Sequence, residues 1–429
     1  MQTTPQSRID EFTQAKWWGE QTIYDLFVQA EKRSDHLALV DPANRATFTD
    51  GFPQRLTYGQ LSQHIDALSD LYFRGGIREN DIVVIQLPNI IELPITYLAL
   101  ARLGAIVSPV PVQYGAHELN QAIEKLDPAA YVTVSNLKSQ NLSEAHGRLF
   151  EQQCPVFSFG DDVGAAIIPL NLQCHTPSPA WQTYVETRTA SANDILTICW
   201  TSGTTGSPKG VPRSHNHWII SGISSSDSAS MTSEDIILNP FPMVNMAGLG
   251  GFLFPWLLSG NTLVLHHPFD LNQFLQQIAD ESVSYTIAAP ALLNMLLKDP
   301  DIMAATDLSS LRAIGSGGSP LTEWMVSTFQ NDYNIPVSNI FGSNEGMCLS
   351  SSAVDLPNPA DRAVFFPRYG LPGAQWKSRV SKMTKTRLVD ASSGKEIVMA
   401  GIQGELEISG PSVFDGYWQS EQDNLQVFS

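Results

Sequence analysis

At 429 residues, with 43% hydrophobic residues and nine tryptophans, the chain exceeds one ordinary domain and can fill large cores, so two or three subdomains are expected. A formal charge of −18 argues against nucleic acid or an anionic membrane as partner, and it makes any anion site a local positive island in a negative field. Cys154, Cys174, Cys199 and Cys348 have neither metal nor disulfide spacing, the start lacks an apolar signal segment, and no long membrane span occurs; a soluble, cytoplasmic protein with free thiols is expected.

In chain order, Thr22 caps a helix whose Ile23, Leu26, Phe27 and Ala30 share one face. Leu37 to Val40 is a short apolar strand. Thr57 and Gln60 form a capping box for a helix with Leu61, Ile65 and Leu68 as its buried stripe. Ile82 to Gln86 reads as a buried strand, Leu87-Pro-Asn89 as a turn into an apolar helix ending at Leu103, and Ile106 to Val110 as another strand. Strands alternating with helices call for βαβ units and a mainly parallel sheet. Over residues 152–193 the prolines 155, 169, 177 and 179 and many polar residues weaken the pattern, which reads as a connection over the surface. A second sheet is expected to begin at Ile195 and continue through Ile236 to Asn239, Thr262 to Leu265, Tyr285 to Ala288 and Leu311 to Gly315. Arg387 to Val389 and Gly404 to Ser409 read as short antiparallel strands. The expected fold class is α/β: two βα subdomains with mainly parallel sheets, over 1–190 and 191–365, and a small β subdomain over 366–429.

The chemistry concentrates in Ile195-Leu-Thr-Ile-Cys-Trp-Thr-Ser-Gly-Thr-Thr-Gly-Ser-Pro-Lys-Gly-Val-Pro212. A buried strand breaks at Thr201 into a loop of glycines and hydroxyls carrying one lysine. Backbone N–H groups can crowd inward where side chains are absent, and such a nest suits an anion. Lys209 brings a point charge that a phosphate would neutralise. Pro208 stiffens the exit, and Ser214 caps a helix starting near His215. The common phosphate loop, Gly-x-x-x-x-Gly-Lys-Ser/Thr, is not matched, because Ser207 and Pro208 separate Gly206 from Lys209.

Three further stretches stand out. Ile314-Gly-Ser-Gly-Gly-Ser-Pro-Leu321 lies between a strand and a helix, and its glycines let something flat lie against bare backbone. Asn339-Ile-Phe-Gly-Ser-Asn-Glu-Gly346 puts a ring and a carboxylate at one strand end. Phe241-Pro-Met-Val-Asn-Met-Ala-Gly248 offers no carboxylate between Val244 and Ala247. His215-Asn-His217 has no third zinc ligand nearby and reads as helix-start hydrogen bonding.

Together with Gly404 to Pro411 and Gly416-Tyr-Trp418, these segments resemble the adenylate-forming enzymes: acyl-CoA synthetases, aryl-acid ligases, luciferases and the adenylation domains of peptide synthetases. The resemblance runs over nearly the whole chain but only along the larger, N-terminal domain of that fold. It implies that Thr201, Ser202, Gly203, Thr204, Thr205, Gly206 and Lys209 hold the β- and γ-phosphates of ATP while a carboxylate attacks the α-phosphate. Lys209, Thr204 and Glu345 would be the catalytic set, with Glu345 holding Mg²⁺. Gly317, Gly318 and Ser319 would lie against adenine, Phe341 would stack on it, and Asn339 would meet its amino group. Gly342 and Asn344 complete the nucleotide set; Asn344 replaces the family's usual threonine, and an amide still donates to a phosphate oxygen. Asn245, where the family places a histidine, would line the acid pocket with Met246, Ala247, Gly248, Ala291, Ile340 and Met347. A substrate ammonium would find no carboxylate there, which favours apolar or aryl acids over amino acids.

The function the resemblance implies is ATP- and Mg²⁺-dependent activation of a fatty or other apolar carboxylic acid to an acyl-adenylate, followed in the full-length parent by transfer to CoA. An aryl-acid AMP ligase loading the pantetheine of a carrier protein and a non-catalytic nucleotide-binding module are the alternatives. The family's ribose-binding aspartate, hinge and mobile C-terminal domain with its catalytic lysine have no counterpart in these residues. The chain is therefore expected to fold alone, bind nucleotide or acyl-adenylate weakly, adenylate very slowly and make no thioester.

Overall fold

Local signals set the helix starts. Thr22 with Asp25 opens Ile23–Glu31, Thr57 with Gln60 opens Tyr58–Arg74, and Ser214 opens His215–Ala229, each side chain accepting a backbone N–H of the first turn. The computed structural model describes residues 1–138, 140–161, 163–201 and 208–428. Among these, no helix is long and apolar enough to cross a membrane.

Two large sheets organise the described residues. A seven-stranded sheet runs in the spatial order Gly210–Ser214, Ile195–Trp200, Ile106–Pro109, Ile82–Ile85, Ala130–Val134, Val156–Phe159, Ile168–Leu170. An eight-stranded sheet runs Cys348–Ser351, Val337–Gly342, Ala313–Gly317, Tyr285–Ile287, Ile236–Asn239, Thr262–Leu265, Leu37–Val40, Arg55–Thr57. Pairing is parallel except at three outer pairs, where Gly210–Ser214, Cys348–Ser351 and Arg55–Thr57 turn back on their neighbours. The inner strands Ile82–Ile85, Ile106–Pro109 and Ala130–Val134 are buried at every position, as parallel strands covered on both faces must be. Lys385–Val389 and Glu405–Ser409 form a separate antiparallel pair, as their sequence suggests.

Two expectations are corrected. Ile195–Trp200 does not begin the second sheet; it extends the first, with Thr197 opposite Val107, while Leu37–Val40 crosses into the second beside Thr262–Leu265. Each large sheet therefore takes strands from both sides of residue 190. An apolar run is compatible with any covered parallel sheet, so its sequence carries no address. Residues 152–193 are also more than a surface connection, because Val156–Phe159 and Ile168–Leu170 are strands of the first sheet. Pro169 is tolerated because Ile168–Leu170 is the edge strand. Pro179 opens the helix Pro179–Thr187 behind the capping Ser178.

One buried cluster joins the sheets. Val83, Val107 and Leu196 of the first meet Leu39, Ile237 and Leu263 of the second through Tyr97, Trp218 and Trp256. The helix Glu92–Leu103 lies within it, with every residue but Arg102 buried. Asn89 of the Leu-Pro-Asn turn is scaffold: its Nδ2 donates to the carbonyls of Phe241 (2.7 Å) and His266 (3.3 Å), binding the turn to the other half of the chain.

The paired imidazoles of the helix His215–Ala229 serve two helix starts, His215 that of Ile23–Glu31 and His217 its own. His215 Nδ1 accepts the Ile23 N–H at 3.1 Å and His217 Nδ1 accepts the Ser214 N–H at 3.1 Å. Burial, with a smaller contribution from Arg188, holds His215 down to about 3. A depressed folded-state value means that the folded state binds fewer protons. The stability tied to neutral His215 is then complete above about pH 6.5 and is lost as pH falls from there toward about 3. His215→Asn, which keeps an acceptor for Ile23, should make the acid side of the stability curve shallower by about 1.4 kcal/mol per pH unit in that window. Urea melts at stepped pH read this directly, and an unchanged slope would rule it out.

Candidate functional site

The strand ends bring the sequence motifs together. The Thr201 N–H donates to the Lys209 carbonyl at 3.0 Å and the Lys209 N–H returns to Thr201 Oγ1 at 3.3 Å, closing the base of the phosphate loop. Ser202, Gly203, Thr204, Thr205 and Gly206 lie outside the described residues. At the loop exit Lys125 Nζ donates to the Pro208 carbonyl at 2.6 Å, and the Trp418 N–H to the Gly210 carbonyl at 2.8 Å. Lys209 Nζ stands 2.7 Å from Asp423 and 5.0 Å from the Tyr417 ring centroid.

Glu345 sits in the turn between Val337–Gly342 and Cys348–Ser351, not at a helix start. Its Oε1 accepts the Tyr417 hydroxyl at 3.0 Å, and its carbonyl accepts the Phe414 N–H at 2.9 Å. The next residue, Gly346, has φ of +97°, and a Cβ there would lie 1.8 Å from the Ser412 carbonyl oxygen. Only glycine fits both the backbone conformation and the space. Asn344 braces the floor: its Nδ2 donates to the Trp200 carbonyl and its Oδ1 accepts the Met246 N–H, both at 2.9 Å. One amide hydrogen expected to face a phosphate is thus committed to Trp200. Among the described residues no three His, Cys, Asp or Glu side chains gather into a metal cage. A single carboxylate such as Glu345 suits Mg²⁺, which keeps several waters and is usually bound by one or two carboxylates together with substrate phosphates.

The glycine stretch lies one strand away. Gly317 pairs with Ile340, whose carbonyl oxygen would be 1.9 Å from a Cβ at 317. Gly318 has open space around the same point, and Ser319 is exposed beside it, so bare backbone is presented to solvent. On the neighbouring strand Phe341 is half-exposed, edge-on to Phe366 at 6.1 Å, and Gly342 is exposed. Asn339 shares that strand but is buried, with Nδ2 donating to the Ala363 carbonyl at 3.0 Å.

The residues expected to line the acid pocket divide. Asn245 spends its Oδ1 on the Ala247 and Gly248 N–H groups as the cap of a helical turn. Gly248 is buried against its own loop, where a Cβ would lie 2.3 Å from the Pro242 carbonyl. At Gly342 a Cβ would meet the Met246 side chain at 3.2 Å and the backbone carbonyl oxygen of Met347 at 3.3 Å. Met246 and Ile340 are half-buried and pack partly on the main core. Ala247 is half-buried, and Ala291 is exposed on the first turn of Pro290–Lys298.

Three residues at the site have no role in the sequence reading. Arg213 is fully buried, its guanidinium 3.9 Å from the Trp218 ring centroid, and burial pulls it down to about 10. Its Nη2 donates to the carbonyls of His217 and Ser412 and to Ser221 Oγ, so it ties the strand after the phosphate loop to the segment pressed against Gly346. Its one sequence signal is a basic residue inside the buried strand Gly210–Ser214. Tyr417 and Asp423, which hold Glu345 and Lys209, come from more than 70 residues away and carry no local signal.

The family model described as AMP-binding enzyme matches residues 26–418. A probable CoA ligase of Humulus lupulus is 26% identical over 412 residues, 92% of this chain and 68% of that protein. An indoleacetate–CoA ligase of Aromatoleum aromaticum is 27% identical over 388 residues, covering 88% and 69%. The apo structure of Mycobacterium smegmatis MbtA superposes with a TM-score of 0.77 at 22% identity, over 98% of this chain and 73% of that one.

Proposed function

Because the chain belongs to the AMP-binding enzyme family, we propose that it activates an uncharged apolar or aryl carboxylic acid with ATP, as the adenylating half of an acid–CoA ligase. The relatives are CoA ligases, which supports adenylation followed by transfer to a thiol as the reaction class. The observation that carries the reading is the meeting of Lys209, the bare Gly317–Gly318 backbone, Phe341 and Glu345 at the strand ends of two sheets.

In this reading Lys209 steadies the departing pyrophosphate, and Gly317, Gly318 and Phe341 receive the adenine ring between backbone and aromatic face. Glu345 would hold Mg²⁺, which supplies charge neutralisation on the phosphates. Little covalent chemistry falls to the protein, so positioning and electrostatics supply the rate. Met246 is an apolar side chain beside Gly342, and the loop 244–247 offers no carboxylate to an ammonium. Burying an ammonium without a partner costs several kcal/mol, so amino acids should be rejected.

The test is isotope exchange of pyrophosphate into ATP with a panel of fatty, aryl and α-amino acids. Exchange should be supported by fatty or aryl acids and not by amino acids. Strongest exchange with an α-amino acid, or none with any acid, would refute the assignment.

A further inference from the structure

Both charged groups assigned to the nucleotide are already engaged by one short stretch of the same chain. Asp423, in the helix Glu421–Val427, stands 2.7 Å from Lys209 Nζ. Six residues earlier, Tyr417 lays its ring 5.0 Å from the same ammonium and donates its hydroxyl to Glu345 Oε1 at 3.0 Å. A carboxylate thus occupies the lysine, and a hydroxyl hydrogen occupies the glutamate.

The contact is built rather than incidental. Ser420 Oγ donates to Asp423 Oδ2 at 2.5 Å, orienting the carboxylate whose other oxygen meets Lys209. The Tyr417 N–H donates to Asn424 Oδ1 at 2.7 Å, folding the stretch back on itself. Its beginning is fixed by Trp418, which donates from its backbone to Gly210 and from its indole to the Lys125 carbonyl at 3.3 Å. Toward its end Leu425, Val427 and Phe428 are exposed apolar side chains, with the Phe428 ring 5.3 Å from that of Phe414. The Lys209 contact, ahead of the Ser420 hydrogen bond, holds the Asp423 carboxyl below the usual range, so it stays ionised at neutral pH.

We infer that Asp423 is an affinity-setting residue of the phosphate site, an internal anion that a polyphosphate must displace from Lys209. This rests on the assignment of Lys209 to pyrophosphate. A ligand with several negative charges can replace one half-exposed carboxylate, whereas a singly charged anion gains little by the exchange. Asp423 therefore makes the site selective for pyrophosphate and the triphosphate of ATP over small monoanions, and its carboxylate gives way when they bind.

The experiment uses the whole 429-residue chain, as wild type, Asp423→Asn and Asp423→Glu. Calorimetry with inorganic pyrophosphate should show about two- to fivefold tighter binding to Asp423→Asn, the range expected for releasing a partly exposed ion pair. Asp423→Glu should stay near wild type. In parallel, acetylation of Lys209 by a limiting anhydride, read by mass spectrometry, should be faster in Asp423→Asn. Equal acetylation and equal pyrophosphate affinity in wild type and Asp423→Asn would overturn the inference. Faster acetylation with no pyrophosphate binding to any of the three proteins would overturn the phosphate-site assignment beneath it.

Discussion

Glu345→Gln should lower acid-dependent pyrophosphate exchange by about 10²–10³, the usual loss when a group aimed at transition-state charge is removed. The substitution separates charge from packing. A glutamine oxygen can still accept the Tyr417 hydroxyl, and the Phe414 N–H bonds the backbone carbonyl at 345, so neither structural contact is lost. What disappears is the negative charge at 345, and with it the hold on Mg²⁺ that we propose for this residue. Raising the Mg²⁺ concentration should recover part of the exchange, since the phosphates supply most of the metal's oxygens. Full exchange at ordinary Mg²⁺ in a normally folded variant would remove Glu345 from the metal role.

Gly346→Ala should harm the same turn through sterics alone. Its φ of +97° costs an L-residue about 1–2 kcal/mol. The added Cβ would also stand 1.8 Å from the Ser412 carbonyl oxygen. That oxygen accepts from the buried Arg213 and cannot retreat freely. Forcing the two segments apart should add about 1–3 kcal/mol. Gly318→Ala is the matched control, because it carries a similar positive φ, +82°, with no atom within 4 Å of its Cβ position. Denaturant melts should show the larger loss for Gly346→Ala. Its Mg²⁺-dependent ATP affinity should fall as well, because the Glu345 turn is displaced. Equal losses at the two positions would show that backbone strain alone matters and that Ser412 can yield.

The amino-acid sequence alone determined the features that a few neighbouring residues control. Thr22, Thr57 and Ser214 cap helices because each side chain reaches an N–H of its own first turn. The apolar runs at Ile82–Ile85 and Ile195–Trp200 are strands because a continuous apolar stretch is stable only when covered on both faces. The order of glycine, hydroxyl and lysine residues after Trp200 was enough to place the chain in its family. Pairing between distant segments was decided only by the tertiary structure. Nothing local sends Ile195–Trp200 to the first sheet or Leu37–Val40 to the second; the free edge and the packing of the shared core choose. Ile168–Leu170 was hidden by Pro169, whose effect depends on whether a strand lies inside a sheet or at its edge. The roles of Asn245 as a cap, Arg213 as a buried brace and Asp423 as the partner of Lys209 were likewise set in three dimensions. A polar side chain takes its role from the groups that burial brings within hydrogen-bond reach, and residues 209 and 423 become neighbours only after the whole domain has closed.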